Sequence, residues 1–231
     1  MTKTVLITGG GSGIGAACAT HFLNQGWQVI AGGLDRDESF PDAIEFHRLD
    51  VTDANAIEAF VARAPAEVHG LVNCAGIIAQ EREWQDDCFA RVLDVNLTAA
   101  LRMGTATLPK LIAGRGGIVN IASMWSLFGS AKSPAYAASK TGLLGLTRSM
   151  ATAWGANGVR VNAVAPGWIR TRLASSAIND PVRGQKALSR IPLGRWGEPT
   201  DVARVIGFLL SKDAAYIHGA MIPIDGGYAI A

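Results

Sequence analysis

A strand, a glycine-rich turn and a helix in immediate succession constrain this chain more than any other feature. Thr4-Val5-Leu6-Ile7-Thr8 is apolar enough for burial on both faces and runs straight into Gly9-Gly10-Gly11-Ser12-Gly13-Ile14-Gly15, after which a helical pattern begins. Glycines permit the tight turn and let backbone approach a pyrophosphate closely. The helix start offers free N–H groups and a positive dipole end. A glycine-rich stretch alone is weak, but between a strand and a helix it marks a dinucleotide cradle made of Gly9, Gly11, Ser12, Gly13, Ile14 and Gly15.

The pattern then repeats. Apolar runs at Val5–Thr8, Val29–Ala31, Glu45–Leu49, Gly70–Asn73, Gly117–Ile121, Arg160–Val164 and Met221–Ile224 read as strands, apolar throughout rather than alternating. Helical segments at Gly13–Gln25, Asp53–Ala64, Phe89–Leu111, Pro134–Asn157 and Thr200–Leu210 lie between most of them. Strands that alternate with helices predict an α/β, doubly wound Rossmann-type fold. It would be one domain over residues 1–231, with a seven-stranded parallel sheet and helices on both faces. Leu34–Ile44 carries Asp35, Asp37, Glu38, Pro41 and Asp42 and predicts a loop or single turn. Trp168–Glu198, of mixed polarity with prolines near its ends, predicts an irregular element that serves as a substrate lid, with an ordinary surface helix pair as the alternative.

Bulk composition excludes several classes. A net charge of +2 without a basic cluster gives no nucleic-acid footprint. No apolar stretch is long enough to span a bilayer, and no cleavable leader is visible, so a cytoplasmic protein is expected. Cys18, Cys74 and Cys88 form no CxxC pair and sit near no histidine cluster, which predicts free thiols and no metal site.

Tyr136-Ala137-Ala138-Ser139-Lys140 is the sharpest local signal. Four residues apart on a helix, the phenol and the ammonium share one face. A neighbouring Lys⁺ favours the phenolate, as does the positive nicotinamide ring of NAD⁺, and moves a tyrosine from ~10 toward a useful acid/base range. Ser123, just past the strand Gly117–Ile121, sits where open α/β sheets bind ligands and is placed to hydrogen-bond a substrate oxygen as charge develops.

Thr8-Gly9-x-x-x-Gly13-x-Gly15, Ser123 thirteen residues before Tyr136, and the Tyr136/Lys140 pair together resemble the short-chain dehydrogenase/reductase family, and the resemblance runs through the whole chain. It implies an oxidoreductase moving a hydride between a nicotinamide cofactor and an alcohol or carbonyl. Tyr136 would be the general acid/base, Ser123 the oxygen's partner, Lys140 the anchor of the nicotinamide ribose, and Asn96 the holder of a water in a proton relay. By the same resemblance Asp50 and Val51 contact the adenine. Asn73, Ala75 and Gly76 form the family's Asn-Asn-Ala-Gly turn, with Cys74 in place of its second Asn. Pro166, Gly167, Ile169 and Thr171 hold the nicotinamide carboxamide. The family also implies a homotetramer or homodimer built on the helices Phe89–Leu111 and Pro134–Asn157.

NAD is favoured over NADP. The usual selecting position falls near Gly33 and is silent, but Asp35 could accept the ribose hydroxyls, while Arg36 could instead clamp a 2′-phosphate. Met124, Trp125, Leu127, Phe128 and Trp168 predict a hydrophobic or cyclic small-molecule substrate, with Arg170 or Arg172 as candidate partners of a carboxylate. An NADPH-dependent carbonyl reductase and a non-catalytic dinucleotide sensor on the same fold are the competing readings.

Overall fold

A computed structural model describes residues 2–231. Among these residues seven strands form one parallel sheet in the order β3-β2-β1-β4-β5-β6-β7. In chain order the main elements are β1 (Thr4–Thr8), α1 (Gly13–Asn24), β2 (Gln28–Gly33), β3 (Glu45–Arg48), α2 (Ala54–Ala62), β4 (Gly70–Asn73), α3 (Asp86–Leu93) and α4 (Ala99–Gly114). They continue with β5 (Gly117–Ile121), α5 (Pro134–Trp154), β6 (Arg160–Pro166), α6 (Arg172–Ile178), α7 (Pro181–Leu188), α8 (Pro199–Leu210) and β7 (Met221–Ile224). Helices α1 and α8 pack on one face around Phe22, Val119 and Ile206, while α2, α4 and α5 cover the other around Leu6, Phe60 and Met150. The direction of strand succession reverses between β1 and β4, which opens a crevice at their carboxyl ends. No helix among the described residues is long and apolar enough to cross a membrane.

Three expectations need correction. The strands are not apolar throughout: β3 reads Glu-Phe-His-Arg with Glu45 and Arg48 exposed, because it is the sheet's edge and needs only Phe46 on the core side. The stretch expected as one helix over Phe89–Leu111 starts earlier, at Asp86, and is interrupted by a π-helical turn over Asp94–Thr98. Such turns insert one residue and re-aim the next turn of helix, frequently at functional positions. Trp168–Glu198 is not irregular throughout but holds α6 and α7. The Leu34–Ile44 connection has no helix, as expected, and buried Phe40 pins it to the core.

Beneath the crevice runs a buried polar column. Asn73 at the end of β4 donates from Nδ2 to Asn120 Oδ1 of β5 at 2.9 Å, and Asn120 Nδ2 donates to Thr147 Oγ1 of α5 at 2.9 Å. These bonds fix the two strand ends to the helix that carries Tyr136. Replacing Asn120 by Ala leaves the Asn73 amide only the Ala100 carbonyl at 3.5 Å, takes the amide donor from Thr147, and should lower stability by about 3 kcal/mol in urea unfolding. A loss below about 1 kcal/mol would show that the column is dispensable.

Candidate active site

The turn after β1 is built from backbone contacts that exclude side chains. Gly9 adopts φ +61°, and a Cβ there would sit 2.8 Å from Ala75 Cα. A Cβ at Gly15 would lie 2.0 Å from the Gly9 carbonyl oxygen, and one at Gly11 2.1 Å from that of Asp35. Thr8 Oγ1 accepts the N–H groups of Cys74 and Ala75, each at 3.2 Å, and so shapes the turn after β4. Sequence reasoning assigned Thr8 no role. At the α1 N-terminus the N-cap Ser12 makes no capping bond and no acidic side chain occupies the first turn, so its positive end is open. An open helix start beside Gly9, Gly13 and Ile14 fits the pyrophosphate of a dinucleotide.

Around this cradle the other expected contact residues gather. Asp50, whose carboxyl is held low chiefly by the Thr52 hydroxyl, and buried Val51 follow β3. Gly76 stands beside Asn96 and Lys140: a Cβ on it would be 3.4 Å from Asn96 Oδ1 and 3.5 Å from Lys140 Nζ. Pro166 ends β6, Gly167 packs against Asp225, Ile169 is buried, and Thr171 caps α6 with its methyl near Gly13. Asp35, Arg36 and Asp37 fold back on the glycine turn, where Asp37 N–H donates to the Gly11 carbonyl at 2.9 Å.

Ser123 follows β5, and its hydroxyl accepts the Trp125 N–H at 3.2 Å. Buried Ser126, unmarked in the sequence, donates to the Lys140 carbonyl at 2.8 Å and ties this turn to α5. Tyr136 is the third residue of α5, and the N-cap Ser133 makes no side-chain capping bond. Glu83 caps the helix instead. Fully buried, it accepts the Tyr136 N–H at 2.8 Å through Oε2 and those of Ala79 and Gln80 through Oε1. Nothing in the local spacing pointed to Glu83, which lies 53 residues from its partner.

The electrostatics differ from expectation. Burial pushes the Tyr136 phenol up to about 12, against the favourable hydrogen bond from Ser123. Burial also pulls Lys140 down to about 8. Lys140 Nζ donates to the Ile121 carbonyl at 2.7 Å and sits 5.6 Å from the Tyr136 ring centre, so desolvation outweighs the charge effect expected of it. Asn96 lies in the π turn and spends both amide hydrogens, on the Ile77 carbonyl (2.9 Å) and Ser139 Oγ (3.1 Å). Its side chain therefore has no donor left for a water. Cys74, raised to about 11 by burial, faces the Gly15 N–H where the family's pattern has Asn.

A cavity of about 340 Å³ opens over Ser123 and Tyr136, lined also by Ile78, Trp125, Trp168 and Leu173. Trp125 stands edge-on to both Tyr136 (5.6 Å) and Trp168 (6.4 Å). Met124 lines it as expected, but Leu127 and Phe128 do not and are exposed. Arg170 and Arg172 are engaged elsewhere, with Glu198 at 3.2 Å and with Asp37 at 3.1 Å. No cluster of three or more His, Cys, Asp or Glu among the described residues could hold a metal ion.

A doubly wound parallel sheet with this turn at its switch point and an apolar cavity over a tyrosine defines a nicotinamide-dependent oxidoreductase, and the comparisons agree. A family model described as enoyl-(acyl carrier protein) reductase matches residues 9–229. The chain is 37% identical to the 3-oxoacyl-(acyl-carrier-protein) reductase FabG of Thermotoga maritima, over 99% of this chain and 98% of that protein. It is 38% identical to the cis-4-hydroxycyclohexanecarboxylate dehydrogenase of Sinomonas cyclohexanicum, over 98% and 96%. A solved 4-hydroxyisoleucine dehydrogenase complexed with NADH superposes with a TM-score of 0.92 at 32% identity, covering 100% of both chains. The chain belongs to the short-chain dehydrogenase/reductase family. It is an oxidoreductase that interconverts CH–OH and carbonyl groups with NAD or NADP.

The buried lysine has a consequence for stability. The unfolded chain holds the Lys140 proton up to about 10.5, whereas the folded chain gives it up near 8. Stability should therefore rise with pH between those values, because the unfolded state binds more protons there. Opposite contributions come from Cys74 and Cys18, both raised by burial, above their ordinary 9 and from Tyr136 above its ordinary 10, so the lysine's effect is read as a difference from a protein that lacks it. Urea midpoints at pH 8, 9 and 10 should climb for the wild type relative to Lys140→Met. Parallel curves for the two proteins would refute this assignment.

Proposed function

We propose that Tyr136 is the general acid/base of this enzyme, with Ser123 as the partner of the reacting oxygen, and that the substrate is a hydrophobic or cyclic alcohol or ketone. The observation that carries this reading is the convergence of Ser123 and Tyr136 on the floor of one cavity, with Lys140 one helical turn away beside Gly76. The nicotinamide ring, when bound, supplies the hydride acceptor or donor. The protein does the rest. In the oxidative direction Tyr136 Oη takes the hydroxyl proton while Ser123 Oγ donates a hydrogen bond to the oxygen as it becomes a carbonyl. Lys140 holds the nicotinamide ribose, and Asn96 keeps the backbone of the π turn in position for the relay water that would refill Lys140. The segment Trp168–Glu198, bearing α6 and α7, acts as a lid that keeps water off the reacting carbon.

Support for a cyclic substrate comes from the aromatic wall of Trp125 and Trp168 and from the cyclohexane substrate named for one relative. NAD is the proposed cofactor. Asp35 and Asp37 follow the glycine turn with their backbones against Gly11 and their carboxylates shared with Arg172 (3.5 and 3.1 Å), Gly33 offers no cation, and the Arg36 guanidinium lies 5.9 Å over the Phe46 ring. We further propose a cytoplasmic homotetramer or homodimer. Exposed Leu101 on α4 and the open space around Gly145 on α5 would let a second copy approach closely.

Tyr136→Phe should lower kcat by at least about a hundredfold while leaving NADH binding intact. Unchanged turnover would remove Tyr136 from the chemistry, whereas NADH binding with no turnover of any alcohol or ketone in either protein would favour a sensor. Side-by-side fluorescence titrations should show NADH binding at least about tenfold more tightly than NADPH, with the preference reduced in Asp35→Asn. Tighter NADPH binding would transfer the selecting role to Arg36 and point to a carbonyl reductase.

A further inference from the structure

The cavity over Tyr136 is lined by two cations and, among the described residues, by no carboxylate. Lys132 is neutralised, with its Nζ 2.9 Å from Glu81 Oε1. Arg183, in the first turn of α7 and exposed, lines the cavity and has no carboxylate oxygen within 4 Å among the described residues. Asp180 caps α7, accepting the backbone N–H groups of Val182 (2.9 Å) and Arg183 (2.8 Å), and acts on the Arg183 guanidinium only at longer range. Arg190, in the turn after α7, donates to Tyr228 Oη at 3.0 Å and stacks on that ring. One open guanidinium thus faces a cavity whose other walls are Trp125, Trp168, Ile78 and Leu173.

We infer that the substrate carries a carboxylate as well as the reacting alcohol or ketone on a ring, and that Arg183 binds that carboxylate. This rests on the reading of Tyr136 and Ser123 given above. The cavity's size, about 340 Å³, accommodates a six-membered ring and a carboxylate beside the reacting carbon. A guanidinium offers a planar pair of donors that match a carboxylate in a way a lysine ammonium cannot. Because Arg183 belongs to α7, the same contact draws the Trp168–Glu198 segment toward the substrate, so binding and closure are one event.

The probes are 3- and 4-hydroxycyclohexanecarboxylate and their neutral carboxamides, assayed on the full chain with its preferred cofactor. Wild type should turn over the acids at least about tenfold more efficiently than the amides, mainly through KM, the size of one charge-assisted hydrogen bond. Arg183→Met should erase that ratio chiefly by raising KM for the acids, Arg183→Lys should keep part of it, and Arg183→Glu should invert it. Equal acid and amide efficiencies in the wild type, a comparison that needs no variant, overturn the inference, and so does a ratio that survives in Arg183→Met. Turnover of acyclic secondary alcohols but of neither ring pair overturns the ring carboxylate and leaves the redox reading standing. No turnover of any alcohol with either nicotinamide, or wild-type rates in Tyr136→Phe, defeats the underlying reading instead.

Discussion

The contact between the backbones of Gly9 and Gly15 is the constraint on which the rest of the structure depends. With 2.0 Å between a notional Gly15 Cβ and the Gly9 carbonyl oxygen, no side chain fits where the first strand hands over to the first helix. That closeness aims the α1 axis at the crevice and keeps the helix start bare. It also brings the end of β1 against the Asn73–Gly76 turn, since Gly9 meets Ala75 just as closely. Thr8 then bonds to that turn, and the turn places Gly76 against Asn96 and Lys140. The cofactor cradle and the lysine are therefore linked through a continuous set of backbone contacts rather than through flexible side chains.

Polar groups buried under the site do a second job. Asn73, Asn120 and Thr147 join two strand ends to α5, Ser126 joins the Ser123 turn to the same helix, and Glu83 caps it. Each bond alone contributes roughly 1 kcal/mol net, more where the acceptor is charged. Their larger effect is geometric, because a buried donor without its partner is costly and few alternative arrangements satisfy all of them. Lys140 runs the other way: its burial costs stability at neutral pH, and the fold tolerates it at a position where a cofactor ribose can be held.

Much of this was legible in the residues. Strand and helix order followed from periodicity, and Ser123, Tyr136 and Lys140 from their spacing, since those signals are local. The features the sequence concealed are non-local or depend on solvation. The polarity of Glu45-Phe-His-Arg makes sense only once β3 is known to be an edge. A π turn at Asp94–Thr98 leaves no mark in apolar periodicity, because one inserted residue is within the scatter of any helical pattern. Glu83 caps a helix more than fifty residues away, and Arg170 and Arg172 are taken by acids from other elements while Arg183 is not. Charge pairing of that kind is decided by tertiary placement alone.

The protonation state of the site is set by the same burial. In the protein by itself Tyr136 is neutral far beyond physiological pH, at about 12, while Lys140 loses its proton near 8, so desolvation drives both toward their uncharged forms. An acid/base group at 12 is poorly matched to work near neutrality. The charges acting on the phenol in the folded chain make matters worse, since Glu83 and any ionised Cys74 raise it and only the Ser123 hydroxyl opposes them. Under the proposed roles, a bound nicotinamide would be a further source of positive charge beside the phenol. An oxidised nicotinamide carries one, placed in a water-poor cavity where its effect is weakly screened. A reduced one does not, which leaves the phenol protonated and ready to donate to a carbonyl oxygen. If Tyr136 is the acid/base group proposed above, the cofactor's redox state would bias it toward base or acid, and burial of the phenol is what would make it responsive.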